Sequence, residues 1–211
     1  MVCFPRLTLC LWVCWLGVAT SVLALAASFI SLGYPNLGEN DSSAAAVSGD
    51  GTWVTVTSKN TVAGTKGGFR WSVLTGFQAL GNPPGKTEFS ARGISTDGRF
   101  IAGDYGGHAY RWQVGVGFLD LGTLPGLAGL YAGGISGDGS VVVGNKEKTR
   151  GREDGDPFRW TAGTGMVSLG ELPGGSNRVA SAISAQGQII VSWSYIPSGE
   201  FTFRWTQATE M

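Results

Sequence analysis

An all-β fold is predicted, a β-propeller of four blades with four short strands each, and three observations carry it. The dipeptide Arg-Trp recurs at Arg70-Trp71, Arg111-Trp112, Arg159-Trp160 and Arg204-Trp205, a period of roughly 45 residues. A Ser-x-x-Gly turn recurs in phase with it, at Ser48–Gly51, Ser95–Gly98, Ser136–Gly139 and Ser184–Gly187. The 35 glycines and a charged content of 14% suit many tight turns between short strands.

The second repeat, Ala91–Gly122, is the clearest copy. Its first strand ends in Ile94-Ser95, and a turn at Asp97-Gly98 leads into Arg99–Ala102. His108–Trp112 and Phe118–Leu121 are its third and fourth strands. Seven residues before each turn glycine stands an alanine: Ala44, Ala91, Ala132 and Ala180. Four before it stands Val47, Ile94, Ile135 or Ile183. The first strand of a blade lies nearest the axis, where space is smallest, so a small residue and a β-branched packing contact are what crowding selects. The Asp-Gly steps predict two-residue type I′ hairpin turns, with the serine bonded to the turn backbone. A calcium role for these aspartates fits poorly, since each stands alone and the last copy has Gln186.

The second strands, Trp53–Val56, Phe100–Ala102, Val141–Val143 and Ile189–Val191, are nearly apolar, as expected between two neighbouring blades. In the third strands, Phe69-Arg70-Trp71 and its copies, alternation puts both aromatics on one face and the arginine on the other. The aromatics are expected to fill the gap between blades, with each arginine paired to a carboxylate or carbonyl. The functional alternative is an aromatic and arginine ligand platform. Fourth strands end at Leu80-Gly81, Leu121-Gly122 and Leu169-Gly170, each followed by a Pro-Gly connector. The last repeat stops just after Arg204-Trp205, and Ile30-Ser31-Leu32-Gly33 matches Val167-Ser168-Leu169-Gly170 in phase. A strand at residues 29–33 is therefore expected to pair beside Arg204-Trp205 and close the ring, satisfying otherwise bare strand edges.

Leu7 to Ile30 carries no charge, follows Arg6, and contains Leu23-Ala24-Leu25-Ala26, the small-x-small pattern of a cleavage site. Residues 1–26 thus read as a signal peptide, leaving a domain of residues 27–211, with an uncleaved anchor as the alternative. Cys3, Cys10 and Cys14 all lie in this leader, so the mature chain has no thiol for a disulfide or metal. Export to the bacterial periplasm, cell surface or medium follows, without membrane insertion after cleavage. Fifteen basic and fifteen acidic side chains cancel, which gives no general field for nucleic acid.

The pattern Leu-Gly-x-Leu-Pro-Gly, Ala-x-x-Ile-Ser-x-Asp-Gly, Val-Val-Val-Gly and Phe-Arg-Trp-Thr resembles the bacterial extracellular repeats named HAF. The triplet His108-Ala109-Tyr110 is the clearest copy of the naming motif. The others read Gly67-Gly68-Phe69, Asp156-Pro157-Phe158 and Phe201-Thr202-Phe203, so the histidine is not needed by every blade. The resemblance covers residues 29–211. It implies a secreted or autotransporter passenger-like protein, and it carries no implication of an enzymatic activity.

No catalytic, cofactor-binding or metal residue is selected by the chain itself, and no cofactor is implied. His108 is the single histidine, too little for a His-based zinc site or a conventional triad. The acidic run Glu153-Asp154-Gly155-Asp156 is flanked by Arg150 and Arg152 and reads as a solvated loop. The expected function is a non-enzymatic, exported binding or surface-interaction module. Its ligand face would be built by the loops at 34–41, 58–67, 82–87, 123–129, 145–156, 171–177 and 194–200. A carbohydrate or an envelope protein is the expected partner. The alternatives are a glycan-directed hydrolase using carboxylates such as Glu171 and Asp104, and a fragment of a longer repeat or autotransporter passenger protein.

Overall fold

In the computed structural model, residues 29–36, 38–123, 129–147, 157–170, 176–196 and 199–207 are described. The chain divides into two units, Met1–Leu32 and Gly33–Met211. Of the first only residues 29–32 are described, and they carry no strand. The second is an all-β array of four propeller blades. Blade 1 holds β1 (Asp41–Val47), β2 (Val54–Asn60), β3 (Thr65–Ser72) and β4 (Gly76–Ala79). Blade 2 holds β5 (Ser90–Ile94), β6 (Phe100–Tyr105), β7 (His108–Gln113) and β8 (Gly117–Asp120). Blade 3 holds β9 (Gly129–Ile135), β10 (Val141–Glu147), β11 (Pro157–Thr161) and β12 (Gly165–Ser168). Blade 4 holds β13 (Ser176–Ile183), β14 (Ile189–Ile196) and β15 (Gly199–Thr206). Each sheet is an antiparallel meander in chain order.

The inner hairpins show why serine and aspartate recur. Asp97 Oδ1 accepts from Ser95 Oγ at 2.8 Å and from the Arg99 N–H at 3.0 Å. Ser95 Oγ in turn accepts the Phe100 N–H at 2.9 Å. The same relay joins Ser48, Asp50 and Trp53, and Ser136, Asp138 and Val141. Donation by Ser48 or Ser136, then by the backbone, holds the Asp50 and Asp138 carboxyls below the ordinary range. The aspartates are therefore occupied in closing turns. The expected two-residue type I′ turn is corrected. Gly98 N–H donates to Ser95 O at 3.1 Å, so Thr96 and Asp97 are the central residues. Gly98 follows them in the left-handed region at φ 71°. The relay needs Asp97 inside the turn, where its carboxylate can reach the Ser95 hydroxyl on one side and the Arg99 N–H on the other.

Blades join through three repeated contacts. The inner turns are laced edge to edge, with Asp50 N–H to Thr96 O at 3.1 Å, Thr96 N–H to Gly137 O at 2.9 Å and Gly137 N–H to Ala185 O at 2.8 Å. The middle strands reach the next inner strand, where Ala91 N–H donates to Thr57 Oγ1 at 3.0 Å and Ala180 N–H to Asn145 Oδ1 at 2.6 Å. The third strands supply a clasp. Arg70 donates to Gly98 O at 3.1 Å, with its guanidinium 4.1 Å from the Trp53 ring and 5.5 Å from Trp112 of the next blade. Arg111 repeats this with Gly139 O at 3.1 Å, between Phe100 and Trp160. Arg159 sits 6.0 Å from Trp205. For Arg70 and Arg111 the expected carbonyl partner is thus the turn of the following blade, whereas Arg159 donates to Gln207 Oε1 at 3.2 Å.

Burial in the joints lowers the tendency of Arg70, Arg111 and Arg159 to stay protonated, though not enough to matter near neutrality. The Arg70 Nε is satisfied by Gln78 Oε1 at 3.0 Å, whereas Arg111 Nε and Arg159 Nε are buried without a partner. The residues paired with them across the sheet are Leu119 and Val167, which cannot accept a hydrogen bond. Leu119 is 44% exposed, so it loses little apolar burial if replaced. Leu119→Gln is expected to stabilise the fold by roughly 0.5–1.5 kcal/mol by satisfying Arg111 Nε. Urea denaturation checks this. A midpoint at or below that of the parent chain would contradict it.

The ring is not closed as expected. Among the described residues, 29–34 form no strand and the last sheet has three strands in the order β13-β14-β15. Ile30 is 79% exposed, and Val167, which it matches in phase, stays 49% exposed on a paired strand, so such a pairing would bury little apolar area. The two end faces of the array are more exposed than its joints. Ala91, Ala132 and Ala180 are each 1% exposed, but Ala44 in the same column is exposed. Thr55, Ala102 and Val143 are fully buried, whereas Val191 is 44% exposed.

Candidate functional site

The four inner strands line a concave channel of about 410 Å³, bordered by Ala45, Ala46, Arg92, Tyr131, Asn145 and Ser181 among others. Most of its wall follows from the repeat: small residues where blades converge. Two side chains break the columns. Six residues before the turn glycine the four blades carry Ala45, Arg92, Gly133 and Ser181. Eight before it they carry Ser43, Ser90, Tyr131 and Val179. One guanidinium and one phenol therefore project where neighbouring blades hold small or apolar groups. Residues that serve the blade recur in every blade, so departures on a concave wall mark the place where something other than folding acted.

The two departures meet. The Arg92 guanidinium lies 5.2 Å from the Tyr131 ring, a cation–π contact between blades 2 and 3. Its Nε donates to Asp104, whose side chain is only 11% exposed. Asp104 thus holds the guanidinium in one orientation, which removes much of the rotamer entropy a mobile arginine would lose on binding a ligand. Beside it, Lys66 donates to Ser90 Oγ. Burial lowers the Lys66 pKa and Asp104 partly restores it. Asn145 uses its Oδ1 on the Ala180 N–H, so that part of the wall is structural.

The other sequence-derived candidates fall elsewhere. His108 stacks on Tyr105 with ring planes 1° apart, and its Nδ1 is 3.1 Å from Asp120 Oδ2. Tyr105 donates to the same oxygen at 2.8 Å, and burial with this carboxylate pushes its phenol up to about 12. This trio locks the β6–β7 hairpin against β8. Among the described residues no group of three His, Cys, Asp or Glu could hold a metal ion. Glu153, Asp154, Asp156 and Glu171 lie outside the described residues. Of the loops expected to form a ligand face, those at 34–41, 58–67 and 82–87 contribute to a groove of about 340 Å³ lined by Asn36, Glu39, Lys66, Asn82 and Thr87. No departure from the repeat columns singles out that groove. Arg92 and Tyr131 were missed in reading the chain for motifs, although aligning the four repeats column by column exposes both.

No family model matches the chain, and no curated protein matches it. Solved structures do. TolB from Acinetobacter baumannii is similar over 81% of this chain and 42% of its own, at 16% identity and a TM-score of 0.58. A prolyl endopeptidase is similar over 81% of this chain and 27% of its own, at 13% identity and a TM-score of 0.58. Dipeptidyl peptidase 4 from Porphyromonas gingivalis is similar over 84% of this chain and 32% of its own, at 9% identity and a TM-score of 0.54. These are β-propeller proteins, and the likeness is one of fold. The chain spans less than half the length of each.

Proposed function

We propose that this chain is an exported, non-enzymatic binding module assembled from HAF-type repeats, with its ligand site in the axial channel at Arg92 and Tyr131. One observation carries the reading: the two side chains that break the inner-strand columns meet each other on the channel wall. Propeller scaffolds vary at such positions while the repeated residues keep the blades together. The leader at 1–26, uncharged after Arg6, and the thiol-free remainder support export. The ligand class is carbohydrate. A phenol face packs against the C–H face of a sugar ring, and an oriented guanidinium bonds hydroxyl or carboxylate oxygens. A glycan hydrolase would need two carboxylates across the cleft. Of the channel's described lining residues none is a carboxylate, and Asp104 is already held by Arg92.

The test is binding of the purified exported chain to an array of bacterial envelope glycans. Tyr131→Ser restores the residue that Ser43 and Ser90 place in this column, and it should weaken glycan binding roughly tenfold or more, the weight of an anchoring aromatic. Its melting midpoint should stay close to that of the parent. Glycan binding unchanged by Tyr131→Ser would place the site elsewhere. Shortening of a bound glycan with turnover would favour the hydrolase.

A further inference from the structure

The face of blade 4 that carries Val191 and Arg204 is half of a joint that the chain builds three times over. In blades 1 to 3 the side of the sheet facing the next blade presents Thr55, Ala102 and Val143, all fully buried, and an arginine that reaches the next blade, at the turn carbonyl for Arg70 and Arg111 and at Gln207 for Arg159. In blade 4 the same columns hold Val191, 44% exposed, and Arg204, exposed. Together with Trp193 and Thr202 they border a mainly apolar groove of about 440 Å³. The complementary half lies at the other end. Trp112 and Trp160, each covered by an arginine of the preceding blade, are 7% and 6% exposed. Trp71 of blade 1 is in the same column but only half-buried, and Ala44, Ala45 and Val47 beside it on β1 are exposed.

We infer that a second copy of this chain occupies this face through its first blade, head to tail, with Arg204 clasping the turn at Gly51 and stacking on Trp71. The geometry of the joint is already established within the chain: Arg70 to Gly98 O over Trp112, and Arg111 to Gly139 O over Trp160. The turns extend the same pattern. Ala185 ends the laced row of Asp50, Thr96 and Gly137, and Gly49 of a second copy stands in the column that would continue it. The fourth joint is not a plain copy. Trp193 stands where Thr57 and Asn145 accept the next blade's alanine N–H. An indole there contributes apolar contact to the exposed β1 alanines in place of a hydrogen bond. A heterologous contact of this kind closes when its rotations sum to a full turn. Two copies make eight blades, within the range of known propellers, and every inner strand would then be covered.

Sedimentation of the purified exported chain at micromolar concentration tests this. The expected mass is that of two copies. Arg204→Glu and, separately, Val191→Asp should each weaken self-association by roughly tenfold or more, because each puts a carboxylate into an apolar, carbonyl-lined joint. Both residues are exposed in the single chain, so the melting midpoint of the dilute protein should hardly change. A parent chain that stays monomeric at these concentrations would overturn the inference. So would a dimer that both variants leave intact.

Discussion

Trp112→Ala is expected to remove roughly 3–5 kcal/mol of stability, the usual cost of emptying a buried large aromatic site. The indole is 7% exposed and belongs to the apolar cluster of Leu80, Phe89, Ile94, Ile101 and Tyr110 that seals blade 1 to blade 2. Its Nε1–H donates to Leu80 O at 3.0 Å, so truncation also leaves a buried carbonyl without that donor. Arg70 loses one of the two rings that flank it, while its bond to Gly98 O keeps it in the joint. For a domain of this size the melting midpoint should fall by on the order of 10 °C. This joint carries the contacts of blade 1 with blade 2 among the described residues, so calorimetry should show blade 1 melting apart from blades 2 to 4. A near-normal midpoint combined with lost glycan binding would place the tryptophans on a functional surface instead.

Gly103→Ala should be as damaging for the opposite reason. A Cβ on Gly103 would collide with the Ser90 carbonyl and with the hydroxyl of Tyr110. Tyr110 is fully buried and donates to that same carbonyl at 2.8 Å. Neither atom is the end of a flexible chain, so β5 and β6 must separate or the phenol must leave its partner. The expected cost is about 3 kcal/mol, the upper end for overpacking a filled interior. Gly163→Ala is the control. No atom lies within 4 Å of its added Cβ and its φ is not in the left-handed region, so the change should stay within about 0.5 kcal/mol. Equal melting midpoints for the two variants would show that the β5–β6 contact is looser than described.

The repeat made the architecture legible because each blade buries the same faces. Ala91, Ala132 and Ala180 announce the crowded axis, the Ser-x-Asp-Gly runs announce hairpins, and alternation in Tyr110-Arg111-Trp112 separates aromatics from arginine. These are local consequences of side-chain size, period and turn chemistry, which neighbouring residues carry by themselves. The site was legible only in part. Arg92 and Tyr131 stand in the chain as two unrelated residues, and nothing local says that blades 2 and 3 bring them within 5.2 Å.

Local chemistry along the chain settles the blade: its strands, its turns and the identity of the residues that repeat. The tertiary structure decided how blades meet. It assigned Arg70 and Arg111 to the following turn's carbonyl rather than to a carboxylate, and Arg159 to the Gln207 amide oxygen, and it made Gly103 indispensable through atoms of Ser90 and Tyr110 on other strands. It also decided that Ile30–Gly33 would not serve as the missing strand, although its match to Val167–Gly170 is good. A sequence match fixes which partner a strand could accept. Whether it pairs depends on the apolar area buried when it does, and that is a property of two surfaces held together in space.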